Sequence, residues 1–285
     1  MPARQLLSLM FADVINKLNN ADTRVSSGSN SAPLSGYVHI LNHGNALFIT
    51  DDRRSCVITI ELALFFHLKT GDRLQARIAF DPDWNNYIVS EIINVQHITY
   101  EDAPVVKPNR SINLLGHTVN LGTSILISAG DNADIVTKVN TITQNLPTDL
   151  IPILLSFDGR PTNFNVPTAC FTKPNYSHQE KLMACLLTFF QAKQQADIGK
   201  NVVLIIDSLD KMFFAFNNCM QPVGTFDPHL FSAAAVSDYE NILCTSGNLQ
   251  AGGSLTIIGL HHTGTSPQLL QINDRLHQIM DTVIS

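Results

Sequence analysis

Between Ser124 and Asn140 the chain reads SILISAGDNADIVTKVN: an apolar strand, a short polar turn and a helix. Such a turn, at the carboxyl end of a strand and feeding a helix, aims free backbone N–H groups at any anion beyond it. A working phosphate loop adds a lysine that reaches the phosphates and a hydroxyl that holds Mg²⁺, in the spacing G-x-x-x-x-G-K-[ST]. Here the turn offers Gly130, Asp131, Asn132 and Asp134, followed by Ile135 and Val136. Two carboxylates facing a triphosphate repel it, and the sequence places no ammonium to offset them. Asp131 is better suited to cap a helix starting near Ala133, its charge lying at the positive end of the helix dipole.

Other chemistry-bearing residues are scattered. The apolar run VVLIID ends on Asp207 and Ser208, and a carboxylate there can orient Mg²⁺ in a nucleotide-hydrolysing sheet. Without a phosphate cradle it is expected to bond neighbouring backbone instead. His261 and His262 are adjacent on a strand-like run. They point to opposite faces, so they cannot readily share a metal, and the sequence supplies no partner carboxylate. FDGRP brings Asp158 and Arg160 just after another strand, where the arginine could contact a neighbouring subunit or a phosphate, with a surface salt bridge the equally simple account. Cys170 and Cys185 lie near His178 in the sequence but have no activating motif, and buried inert thiols are the commoner outcome.

The elements that must position these groups fall into two parts. Of the 285 residues 45% are hydrophobic and 15% charged, enough for one large core or two ordinary ones. Five cysteines, odd in number and without C-x-x-C, suit reduced thiols in the cytoplasm. The net charge of −6 lacks the basic excess that drives binding to a phosphate backbone, so no DNA partner is expected. Residues 1–24 carry Leu6, Leu7, Leu9, Met10, Val14 and Leu18 on one helical face, and Asp13 interrupts any signal-peptide core. No segment is long and apolar enough to cross a bilayer, so no membrane partner is expected.

A Ser-, Gly- and Pro-rich linker covers residues 25–35. Residues 36–98 hold five short β-rich runs separated by HG, DDRR, KTGD and DPDWNN, which predicts a small OB-type barrel. A second linker covers 99–110. In 111–285 the apolar runs ILIS, IPILLSF, VVLIID and SLTIIGL alternate with helical stretches, which predicts a parallel sheet covered on both faces.

Several segments together resemble the Rho family of transcription termination factors: VVLIIDSLDKMFFAFN, AGGSLTIIGLHHTG, GYVHILNHGNALFIT and LKTGDRLQARI. The resemblance runs from about Gln5 to the end, with an insertion near Tyr239–Leu249. It implies a RecA-like, P-loop NTPase-type α/β domain preceded by an OB-fold, cold-shock-like barrel and an N-terminal helix. It also implies that the phosphate-reaching Lys and Mg²⁺-holding Thr map to Ile135 and Val136, and the preceding glycine to Asp134. The glutamate that helps position the attacking water maps to Gly159, between Asp158 and Arg160. The sequence ends at Ser285, before the region that would supply an arginine finger.

On the barrel, the family's stacking aromatics map to Asn45 and Leu47, and a basic residue maps to Ile49. Strand parity sends Phe48 into the barrel core. Phe80, Trp84 and Tyr87 remain as a stacking surface, while Arg53 and Arg54 are offset by Asp51 and Asp52.

The expectation is a cytoplasmic, Rho-like protein that does not hydrolyse ATP and acts as a binding or regulatory module. It would associate with itself or with an active Rho paralogue, and no cofactor is expected. Two alternatives stay open. One is an RNA-dependent ATPase of helicase type with an atypical site, using ATP and Mg²⁺. The other is a single-stranded RNA-binding module that uses the barrel.

Overall fold

A computed structural model describes residues 32–40, 46–82, 86–97, 110–157, 164–173, 175–220, 231–249, 253–264 and 266–285. The helix expected over 1–24, most of the first linker and nearly all of the second lie outside the described residues. Backbone proximity divides the chain into two units, one built on a barrel and one on a parallel sheet.

In the barrel unit all five β-rich runs form strands: β1 (Leu34–Ile40), β2 (Ala46–Thr50), β3 (Ser55–Ile58), β4 (Arg73–Asp81) and β5 (Asn86–Gln96). They close in the order β1-β2-β3-β5-β4, with β4 returning to pair β1. A short helix, α1 (Ile60–Phe65), follows β3; it is capped by Thr59 and buries Ala63. Val38, Phe48, Cys56, Ile58, Leu74 and Val89 fill the interior. The sequence does not separate α1 from the β-rich run CVITI, whose last residue, Ile60, begins the helix.

The second unit opens with a hairpin, β6 (Ser111–Leu114) and β7 (His117–Asn120), turned through Leu115 and Gly116 at positive φ. Then come β8 (Ser124–Ala129), α2 (Asn132–Asn145), β9 (Ile151–Ser156), β10 (Thr168–Phe171), α3 (His178–Asp197), β11 (Asn201–Ile206) and α4 (Leu209–Met220). The rest is α5 (Ala233–Leu243), β12 (Gly247–Asn248), β13 (Ser254–His262), α6 (Pro267–Ile279) and β14 (Thr282–Ile284). The sheet order is β10-β9-β11-β13-β8-β14, parallel throughout, with β12 antiparallel on β13. Nearly every residue of β8, β11 and β13 is buried, as strands covered on both faces require.

Helix α2 turns Ile135, Val139 and Ile142 onto a core with Ile125, Ile127, Val203, Ile205, Ile258 and Leu260. Gly259, between the last two, faces the other way, and a Cβ there would fall 2.3 Å from Leu209 Cδ1 of α4. So α2 and α4 cover opposite faces. The bare backbone at Gly259 lets the first turn of α4 press onto β13. Helix α3 starts with a capping box, Ser177 with Glu180, and packs against β9, β11, β13 and α4.

Candidate functional site

Strand β8 ends at Ala129 and α2 begins at Asn132, so the turn between them is Gly130 and Asp131. Asp131 has extended backbone angles and is the N-cap; its Oδ1 accepts from the Asp134 backbone N–H at 2.8 Å. Asp134 reaches back the other way, and its Oδ2 accepts from the Gly130 N–H at 2.9 Å. The same oxygen accepts from Lys138 Nζ at 2.9 Å, and that ammonium also donates to the Ser128 carbonyl at 2.6 Å. The Gly130 amide, which a phosphate loop would turn on its ligand, is thus held by the chain's own carboxylate.

The Lys138 ammonium, and after it the Gly130 amide, hold the Asp134 carboxyl below the usual range. This corrects the expectation that no ammonium offsets the carboxylates. The signal was present as an Asp–Lys pair at i,i+4 on a helix. The helix also starts one residue before the expected Ala133. Ile135 is 1% exposed and belongs to the core, so its side chain does not face the turn. Val136 is partly buried.

Asp207 sits just past β11 and is wholly buried. Its Oδ1 accepts from the Phe157 N–H at 2.8 Å, its Oδ2 accepts from the Ser156 hydroxyl, and its own N–H donates to the Leu155 carbonyl at 3.0 Å. All three partners lie at the end of β9 or directly after it. Burial pushes its carboxyl up to about 6, and the negative charge of Asp210 adds to the rise. The Ser156 and Phe157 bonds and the charge of His262 pull the other way. Asp158 and Arg160 lie outside the described residues.

The two histidines do point apart. His261 is buried, with Nδ1 2.8 Å from Asn273 Oδ1 and Nε2 3.1 Å from Ser128 Oγ. Burial lowers its pKa. His262 has the carboxylate partner that the sequence does not place. Its Nδ1 lies 2.8 Å from Asp210 Oδ2, and its backbone N–H donates to Asp210 Oδ1 at 3.2 Å. Its Nε2 lies 2.9 Å from Asn132 Oδ1. Asp210 is 52 positions from His262, beyond any spacing rule. Among the described residues no group of three or more His, Cys, Asp and Glu is arranged to hold a metal.

The residues proposed for RNA separate. Phe48 is wholly buried in the barrel core, which removes it from any stacking surface, as strand parity predicts. Phe80 and Tyr87 are directly paired across β4 and β5, with ring centroids 5.5 Å apart, edge to face. Phe80 is 47% exposed, while Tyr87 leans on the core. Arg54 is paired with Asp52 at 2.5 Å, and Arg53 occupies a left-handed turn position at φ 67°. Asp51 is paired through both oxygens with Arg73, at 2.8 and 2.5 Å. Asn45 and Trp84 lie outside the described residues.

No protein-family model matches the chain. Curated relatives do. Transcription termination factor Rho of Borreliella burgdorferi is 22% identical over 302 residues, covering 93% of this chain and 55% of that protein. Rho of Thermotoga maritima is 24% identical, over 68% of this chain and 53% of that protein. Rho of Mycobacterium tuberculosis is 27% identical, over 53% of this chain and 29% of that protein. The chain spans about half, or less, of the length of these relatives.

Among solved structures, a prototypical ATPase from the type III secretion system of pathogenic bacteria superposes with a TM-score of 0.54 at 20% identity. It covers 68% of this chain and 63% of its own. The ATP synthase subunit NeqB of Nanoarcheaum equitans gives 0.52 at 16% identity, over 64% of this chain and 52% of its own. The chain is Rho-like in sequence, and its sheet unit has the RecA-like fold of these ATPases.

Proposed function

We propose that this chain is a Rho-like subunit that binds partners without hydrolysing ATP. It would act in transcription termination by associating with copies of itself or with an active Rho. One observation carries the reading: Asp134 takes the Gly130 N–H and the Lys138 ammonium on one carboxylate oxygen. A phosphate group at the turn would have to displace Asp134 from the Gly130 N–H, and it would meet the charges of Asp131 and Asp134 on arrival. Ile135 supports it from the other side, because its side chain is committed to the core. Asp207 has both oxygens engaged by β9, which leaves it poorly placed to orient Mg²⁺. The residues at this edge do not fit a magnesium nucleotide.

Titration with a fluorescent ATP analogue and Mg²⁺ tests the reading. No saturable binding is expected up to about 1 mM, the upper end of ordinary substrate affinities. Micromolar binding that disappears in Asp207→Ala would overturn it. Mixing the chain with an active Rho tests the second half. Co-migration, or a change in the partner's ATPase rate, is expected, and neither appearing would remove the regulatory role.

A second reading rests on Phe80, exposed on the barrel and braced by Tyr87. Such a ring offers a sequence-tolerant stacking platform worth about 1–3 kcal/mol per base. Under that reading, pyrimidine-rich single strands bind at low salt, and the affinity falls as salt rises and in Phe80→Ala. No binding at low salt excludes it.

A further inference from the structure

We propose that Asn132, His262 and Asp210 form a side-chain brace that fixes the carboxyl edge of the sheet in one geometry without a ligand. The inference rests on the reading of a site that does not bind nucleotide, and it deepens that reading by naming what holds the site instead. Strand β13 lies between β8 and β11. The helices that follow those two neighbours, α2 and α4, cover opposite faces of the sheet. A ligand of an open α/β sheet sits in the crevice outside the strand ends, where it touches elements from both sides. In this chain His262 leaves the middle strand and reaches both helices itself. One ring nitrogen is 2.8 Å from Asp210 in the first turn of α4, and the other is 2.9 Å from Asn132, the first residue of α2.

The brace is anchored at each end. Asp210 is 5% exposed and holds His262 twice, by the ring and by the backbone N–H. Leu209 beside it is pressed against the bare Gly259, which fixes how far α4 stands from β13. At the other end Asn132 directly follows Asp131, the cap that bonds Asp134, which in turn holds Gly130. The bonds to Asp210 are partly buried, while the one to Asn132 lies at the surface; because one ring carries both, loosening it at either helix frees it from the other, which couples the three segments. Opening the turn therefore disturbs His262, whose ring bonds Asp210 and Asn132 rather than Gly130 or Asp134.

Amide hydrogen exchange on the full chain reads the coupling. His262→Ala is expected to speed exchange of the Gly130 and Asp134 amides by up to about tenfold, the effect of losing one partly buried hydrogen bond and one at the surface. Asp210→Ala should do the same from the far side of the strand, and the double variant should go no further.

Because Asp210 is buried, Asn132→Ala at the exposed end gives an independent reading if Asp210→Ala does not fold. It should speed exchange of the His262 amide, which Asn132 does not touch. Wild-type exchange at His262 in Asn132→Ala, or effects of His262→Ala and Asp210→Ala that simply add, overturns the brace. ATP with Mg²⁺ on the wild type is a separate arm. Slowed exchange at Gly130 there would sink the non-binding reading, while the variants alone decide the brace.

Discussion

Asp134 and Asp207 are two carboxylates at the same edge of one sheet, and they are kept in opposite ways. Asp134 stands on the outer turn, and an ammonium and an amide lower its carboxyl below the usual range. Asp207 is enclosed, bonded by a hydroxyl and an amide, and burial raises its carboxyl to about 6. The first is a charge with a countercharge. The second is a charge that neutral donors partly compensate, which leaves much of its desolvation cost standing. Where a nucleotide site would coordinate both regions through one ligand, each carboxylate here is satisfied by its own neighbours.

The largest test of that contrast is pH. In Asp207 the folded value, about 6, lies above the ordinary 3.8. Its contribution to stability is therefore full below the unfolded value and is lost as pH rises through the folded one. A shift of that size corresponds to about 3 kcal/mol between roughly pH 4 and pH 7. Asp207→Asn keeps the shape and an acceptor for the Phe157 N–H but removes the titration. Denaturant midpoints of wild type and Asp207→Asn should therefore converge at low pH, and the wild type should fall behind as pH rises. Parallel profiles would mean that Asp207 is not held as a strained charge. Asp134 works with the opposite sign, because its depressed value adds stability above the ordinary carboxylate range and loses it as pH falls.

The two regions also differ in how far the sequence revealed them. The strands β8, β11 and β13 are legible as unbroken apolar runs, because both of their faces are covered. Phe48 is legible from strand parity alone, and Asp131 from the chemistry of helix caps. Helix α6 goes unread because its apolar positions are sparse; α5 could have been found, since Ala235, Tyr239, Ile242 and Leu243 recur at helical spacing. Helix α4 goes unread because its aromatic run MFFAFN hides the period of Phe213 and Phe216 behind Phe214. The Lys138 partner of Asp134 sits one helical turn away and could have been found. The Asp210 partner of His262 could not, since it is tertiary packing, Leu209 on Gly259 included, that brings α4 to the end of β13.

Breaking Asp134 gives a smaller effect than breaking Asp207, and salt tells the two apart. Asp134→Ala frees the Gly130 N–H and the Lys138 ammonium to water and should cost about 1 kcal/mol in thermal or denaturant unfolding. Asp134→Asn keeps the bond to Gly130 but loses the countercharge, so it should cost only a few tenths of a kcal/mol at most ionic strengths. The difference between the two variants should be nearly constant with salt. The difference between Asp134→Asn and wild type should shrink as salt rises, because it is a charge–charge term near the surface. If neither variant changes stability, the turn is held by something other than its own carboxylate, and the contrast with Asp207 fails on that side.

The smallest effect isolates the helix cap from the countercharge. Asp131 bonds the Asp134 amide through Oδ1. Replacing it by alanine removes one capping bond and should cost about 1 kcal/mol or somewhat less. Serine in its place offers the same acceptor without the charge and should restore most of that loss. A cap that worked mainly through its charge on the helix dipole would behave differently, with serine no better than alanine and both converging on wild type in high salt. Serine rescue at low and high salt alike would show that the turn needs an oxygen at Asp131. Of the two carboxylates of this turn, only Asp134 would then act through its charge, where Lys138 stands to meet it.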